Sequence, residues 1–186
     1  VSGHKIHGPK GIGFLYIKEK TKIRPISFGG DQQKGMRSGT INVPGIAGLG
    51  VAAAEAYAHL AENAEHMYEL KAYFADKLQQ IGDVTINGKA GHDSAPQIIS
   101  ASFLGVRSEV LLHSLEDRCI YVSAGSACSS NHPSQSGTLL YIGLDHAHQE
   151  STLRFSFCPE TTREELDYTY GVLEELLPML RRYTRH

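Results

Sequence analysis

Two hydrophobic rhythms run along this chain. Met67, Leu70, Phe74, Leu78 and Ile81 recur at three- and four-residue steps, and so do Leu166, Tyr170, Leu173, Leu177 and Leu180. Residues spaced this way share one face of a helix, so each set predicts an amphipathic helix with an apolar stripe turned to a core. Gly82 ends the first helix, and Thr161 and Glu164 stand in capping-box spacing at the start of the second. Shorter runs rich in β-branched and aromatic side chains, at residues 84–86, 97–103, 119–122 and 153–157, predict strands. A helix over 108–117 would turn Val110, Leu111 and Leu115 inward.

Nearer the N-terminus, residues 13–18 and 23–27 read as two more extended segments. A polar, glycine-rich loop over 28–40 follows, and its composition turns it toward solvent or a ligand. Asn42-Val43-Pro44 then starts a helix, with proline tolerated in the first turn, and small residues over 46–60 permit close packing against it. Strands and helices alternating in this way, closed by one long final helix, predict a compact α/β layer.

Composition narrows the class without changing that picture. With 186 residues, 41% hydrophobic content and a formal charge of −2, the chain suits one domain or one and a half. No apolar run approaches the roughly 20 residues that span a bilayer, and no charged-then-apolar leader opens the chain, so the cytoplasm is the expected compartment. No direct nucleic-acid partner is expected either: Arg181, Arg182 and Arg185 form the one basic cluster, and favourable interaction with a helix C-terminus accounts for them. Cys119, Cys128 and Cys158 are an odd number at wide spacings, which argues against a disulfide framework and fits a reducing compartment. His146-x-His148 has no third ligand in an obvious place, so a solvated turn is expected there and no metal site.

Candidate chemistry begins at residue 2. Ser2-Gly3-His4-Lys5-Ile6-His7-Gly8-Pro9-Lys10-Gly11-Ile12-Gly13 sets a lysine among small and hydrogen-bonding residues. A lysine amine forms a Schiff base with a carbonyl cofactor such as pyridoxal phosphate (PLP), and donors of the kind Ser2 and His4 supply can hold a phosphate. The glycines let the backbone turn tightly beside a ligand and Pro9 stiffens the turn, although a Gly/Pro turn that carries lysines is commonly only a turn. Further on, Arg37 and Thr40 flank Ser38-Gly39 with a cation and a hydroxyl suited to phosphate. Cys128 sits among glycine, alanine and serines in a polar stretch that runs to residue 137 with almost no apolar anchor. An exposed thiol on such an arm can reach a substrate and carry a group outward, whereas Cys119 inside an apolar strand and Cys158 just after one suit buried, inert roles. Arg154 shares a strand face with Thr152 and Ser156, where it can close an ion pair or take a carboxylate through two parallel hydrogen bonds.

Four ordered segments then carry a family resemblance. SGHKIHGPKGIGFLYI resembles the cofactor-lysine motif of the NifS-like cysteine desulfurases, PLP enzymes of the aminotransferase class V group. Gly35-Met36-Arg37-Ser38-Gly39-Thr40 is similar to their second cofactor segment, and Ser123-Ala124-Gly125-Ser126-Ala127-Cys128-Ser129-Ser130 to their catalytic-cysteine loop. With Ser151-Thr152-Leu153-Arg154-Phe155-Ser156, the resemblance covers essentially the whole chain.

The resemblance implies an α/β, PLP type I aminotransferase-like fold. Residues 1–60 would be the C-terminal end of the PLP-binding large domain, and residues 61–186 the small C-terminal α/β domain. It implies that Lys5 carries PLP, that Ser2 and His4 contact the cofactor, and that Thr40 reaches the phosphate of the neighbouring subunit in a homodimer. Arg154 would take the carboxylate of L-cysteine. Cys128, as thiolate, would accept the sulfur as a persulfide, leaving L-alanine. The stretch after Cys128 resembles the group that hands sulfur directly to acceptors, such as an iron–sulfur scaffold, a tRNA-thiolation protein or a thiamine-pathway carrier.

Because the chain opens on Val1 and its lysine arrives before any element that could bury it, it reads as the second part of a longer protein. In the family the preceding part supplies the residue stacked on the PLP ring, the aspartate at its pyridine nitrogen and further phosphate donors, so the chain alone is expected to be inactive. Two other readings stand beside this one. The first is a selenocysteine lyase or related class V aminotransferase, and the Gly-Ser-Ala-Cys loop argues against the aminotransferase. The second is an incomplete fragment that folds and pairs without chemistry.

Overall fold

The computed structural model describes residues 1–124 and 137–183. The chain divides into two compact units, Val1–Leu60 and Ala61–His186.

The second unit is built on a four-stranded sheet of β1 (Val84–Asn87), β2 (Ile98–Phe103), β3 (Ser123–Ala124) and β4 (Thr152–Ser156), in the order β1-β2-β4-β3. Every pairing is antiparallel. Period-two alternation sorts the strands into two faces. Ile99, Ala101, Phe103, Leu153 and Phe155 are buried on one face, where the apolar stripes of α2 (Leu60–Gln80), α3 (Ser108–Glu116) and α6 (Arg163–Tyr183) meet them in one core. Phe74 of α2 stacks edge-on against Phe155 at 5.3 Å and lies near Phe157 at 6.3 Å, the T-shaped arrangement aromatic quadrupoles favour. The opposite face is polar, with Asn87, Ser100, Ser102, Thr152 and Arg154 placed there by the register. Two five-residue helices, α4 (Gly137–Tyr141) and α5 (His146–Glu150), precede β4.

Within the first unit, α1 (Val43–Ala58) starts at Asn42, whose side chain accepts the Gly45 N–H, with Pro44 in the first turn. Its small residues have a specific use. A Cβ at Gly48 would lie 2.8 Å from the Pro9 ring, and one at Gly8 would lie 3.3 Å from the Ala52 methyl, so residues 8 and 9 lie directly on the helix surface.

Several expectations are corrected. Residues 14–18 and 23–26 form no strand; only Gly13 and Ser27 join isolated bridges, to Ser2 and Arg37. A strand exists through its pairing, and these runs have no partner strand among the described residues. Residues 119–122 form no strand: Cys119 takes φ 59° in the turn after α3, and the strand begins at Ser123. Cys119 is therefore exposed, not buried, while Cys158 is partly buried. Val110 faces solvent, whereas Leu111 and Leu115 are buried as expected. The capping box of α6 is Thr162 with Glu165, closed by reciprocal bonds of 3.3 and 2.9 Å; Thr161 instead accepts the Cys158 N–H. Arg181 does not serve its own helix end, because its guanidinium donates to the carbonyls of Leu104 and Asp83 in neighbouring loops. His146 and His148 lie in α5, where Asp145 caps the helix and accepts from the His148 backbone N–H.

Candidate active site

The lysine turn is a closed ring of backbone. Val1 and Phe14 exchange hydrogen bonds at 2.8 and 3.0 Å, Gly3 donates to Ile12 at 2.8 Å, and Gly8 donates to Gly3 at 2.9 Å. Inside it, residues Gly3–Ile6 wind into one 3-10 turn that ends on His7 in the left-handed conformation. Glycine is required twice for close approach: a Cβ at Gly13 would meet the Val1 carbonyl at 2.4 Å, and one at Gly3 would press on the Pro9 and Ile12 carbonyls at 3.0 and 3.1 Å. The backbone is thus consumed in holding shape. Ser2, His4 and Lys5 are exposed on consecutive parts of this turn, and their side chains bond to no described residue.

The second phosphate-suited segment is partly committed to itself. Ser38 is buried and donates to the Gly30 carbonyl at 2.7 Å, while Arg37 bends back onto the Ser38 carbonyl at 2.8 Å. Gln32, which sequence reasoning did not single out, accepts the Gly39 N–H. Thr40 is exposed, and it lines a shallow hollow with Phe28, Gly29, Gly30, Gln32, Ser38 and Gly39. The lining of this hollow includes no residue of the lysine ring.

In the second unit, Arg154 lies on the polar face of the sheet. Its Nη2 donates to the Ser123 hydroxyl at 3.1 Å, and its Nε is buried with no hydrogen-bond partner among the described residues. Beside it, Asn87, Ser100, Ser102 and Thr152 form a hydrogen-bonded cluster, with Ser102 and Thr152 2.7 Å apart and Thr152 donating to the His148 carbonyl at 2.6 Å. This cluster joins β1, β2 and β4 to α5. It escaped sequence reasoning because small polar residues at alternate strand positions read as a solvated face. Cys128, expected as the reactive thiol, lies outside the described residues, four positions after Ala124. Among the described residues, no group of three or more His, Cys, Asp or Glu side chains is arranged to hold a metal, and no helix is long and apolar enough to cross a membrane.

The donor set of the ring fits PLP: an exposed amine for an aldehyde, with a hydroxyl and an imidazole beside it for a phosphate. With an α/β unit following, this is the arrangement of a PLP type I aminotransferase-like protein. Residues 1–169 match the aminotransferase class-V family, and the chain belongs to that family, whose members use PLP. It is 39% identical over 184 residues to a cysteine desulfurase IscS of Dictyoglomus turgidum, covering 97% of this chain and 46% of the relative. It is 37% identical over 186 residues to a cysteine desulfurase of Trichormus azollae, covering 97% and 45%. Among solved structures it superposes on a NifS-like protein with TM-score 0.83 and 37% identity, over 96% of this chain and 46% of that one. A structure of SspA in complex with cysteine matches with TM-score 0.58 and 27% identity, over 87% and 44%. The chain spans about half the length of the curated relatives it matches.

Proposed function

We propose that the protein containing this chain is a PLP-dependent cysteine desulfurase that converts L-cysteine to L-alanine. The observation that carries the reading is the lysine ring, whose self-satisfied backbone leaves Lys5, His4 and Ser2 unengaged at the positions where the family motif falls. Lys5 holds the cofactor through its amine. Ser2, His4 and, in a homodimer, Thr40 of the partner subunit hold its phosphate. When bound, PLP supplies the electron sink that weakens the bonds around the substrate's reacting carbons. Arg154 orients the substrate through its carboxylate, and that fixed orientation is worth more than binding alone because it aligns the sulfur for attack.

Cys128 acts as thiolate on the sulfur of L-cysteine. A new S–S bond forms as the C–S bond breaks, its electron pair stays with the carbon, and a proton completes L-alanine. The persulfide on Cys128 then passes to an acceptor protein, an iron–sulfur scaffold or a tRNA-thiolation protein, in the cytoplasm. Support comes from the cysteine desulfurases among the relatives and from the bound cysteine named for SspA.

The test is product analysis on the full-length protein loaded with PLP. Wild type should make alanine from L-cysteine, with sulfide released in the presence of a reductant. Cys128→Ala should release none. Cys119 is also exposed, so Cys119→Ala is the necessary control and should retain turnover. Sulfide release by Cys128→Ala at the wild-type rate would move the acceptor thiol elsewhere, and absence of alanine from wild type would end the desulfurase reading.

A further inference from the structure

We propose that Ser123 is a positioning residue, which fixes the guanidinium of Arg154 so that the arginine presents a prepared fork to the substrate carboxylate. The inference rests on the carboxylate role given to Arg154 above. It begins with register: Arg154 has Ser100 directly opposite on β2 and Ser123 directly opposite on β3. Each serine points its hydroxyl to the arginine's face of the sheet. The two are not equivalent. The Ser100 hydroxyl is taken by the Asn87 amide at 3.3 Å, whereas Ser123 accepts from Arg154 Nη2 at 3.1 Å.

That bond is the one hydrogen bond of the guanidinium among the described residues, and no described carboxylate lies within ion-pair distance. A half-buried guanidinium with no described carboxylate beside it is suited to pairing with an anion from outside the chain. Nε is buried with no hydrogen-bond partner among the described residues, so the carboxylate is assigned to the Nη1/Nη2 edge. Nη2 carries two hydrogens; Ser123 takes one and thereby sets the rotation of the whole planar group. The remaining Nη2 hydrogen and an Nη1 hydrogen then lie parallel, as a bidentate carboxylate requires. Without Ser123 the arginine keeps its charge and loses its preset orientation, so ligand binding must supply the ordering.

Two measurements test this, one without turnover. In the full-length protein, sodium propionate should protect Arg154 from phenylglyoxal, read by peptide mass against ion-paired Arg118 as internal standard. Ser123→Ala should need roughly three- to tenfold more propionate for the same protection, the size of one ordinary net hydrogen bond, and Ser123→Thr should restore it. In the PLP-loaded enzyme, Ser123→Ala should raise KM for L-cysteine by a similar factor with kcat little changed, and turnover of cysteamine, which lacks the carboxylate, should not respond. Equal protection in wild type and Ser123→Ala overturns the role of Ser123, as does an equal loss with cysteamine. If propionate protects Arg154 in wild type but L-cysteine is not turned over, the desulfurase reading fails while the positioning role stands. If propionate gives no protection even in wild type, Arg154 is not a carboxylate site and the inference falls with it.

Discussion

The two units treat similar residues in opposite ways. In the second unit, Ile99, Phe103, Leu153 and Phe155 are apolar residues of extended segments, and each is 5% exposed or less. In the first unit, Tyr16 and Ile26 also belong to runs expected to be extended, yet they are 80% and 94% exposed. The difference is pairing. β2 has a strand on each side and three helices over one face, so its alternation becomes a core. Residues 13–27 join two isolated bridges and have no partner strand among the described residues to alternate against. Apolar patterning therefore marks what a segment can bury, while the neighbour decides whether it is buried.

The sharpest way to break this contrast is to empty the core that the first unit lacks. Phe74→Ala removes the fully buried α2 ring that packs edge-on against Phe155 and Phe157, and should cost ~3–5 kcal/mol in urea denaturation of the second unit. Hydrogen exchange on the same protein should leave the amides of residues 15–20 and 22–26 as fast as in wild type, since none of them donates a backbone hydrogen bond to a described residue. Slow exchange there in wild type would contradict the account of unpaired strands.

The functional division between the units gives the next effect. Arg154→Lys keeps the charge and loses the planar fork, so kcat/KM for L-cysteine in the full-length protein should fall about ten- to hundredfold. PLP content should be unchanged, because Lys5, proposed to hold the cofactor, belongs to the other unit. Lys5→Ala should show the reverse, with PLP lost on dialysis and the sheet's melting curve intact.

A smaller loss is expected on the polar face of the sheet. Thr152→Val is close to isosteric, but it strips a buried hydroxyl from Ser102 and from the His148 carbonyl, and should cost about 1–3 kcal/mol. No change would mean that Ser102 re-pairs with Asn87 alone.

The smallest effect lies at the exposed seam between α2 and α6. Lys77 bonds Asp167 at 2.7 Å and Tyr73 donates to the same oxygen; these bonds hold the Asp167 carboxyl below the usual carboxylate range. Its folded value is thus lower than its unfolded one. The stability it contributes is complete above about pH 4, the unfolded aspartate value, and is lost as pH falls below that through the folded value. Asp167→Asn should flatten the acid limb of the stability curve slightly and leave it unaltered at pH 7 to 8 in shape. An identical acid limb in the variant would assign that limb to other carboxylates, such as Glu175 beside Arg118.

How much of this was legible in the chain depends on how local the cause is. The stripes on α2 and α6 were readable because a helix satisfies its own backbone, so the period of 3.6 survives whatever lies opposite. The lysine ring was readable as a motif, whereas its glycines, expected beside a ligand, include Gly3 and Gly13 held against the ring's own carbonyls. Less readable was Thr161 against Thr162 as the cap, since both stand three residues before a glutamate and only the Cys158 N–H decides between them. Cys119 looked like a buried strand residue from its apolar neighbours, but the end of α3 demanded a left-handed turn at that position.

By itself, then, the sequence determined the four long helices, the strand segments that became β2 and β4, and the face on which Arg154 stands, because each follows from spacing along the backbone. Tertiary structure decided which strands exist and in what order, and so which residue faces Arg154 across the sheet. Ser123 and Arg154 are 31 positions apart. No periodicity relates them, and only the hydrogen-bonded register between β3 and β4 brings one hydroxyl to one guanidinium.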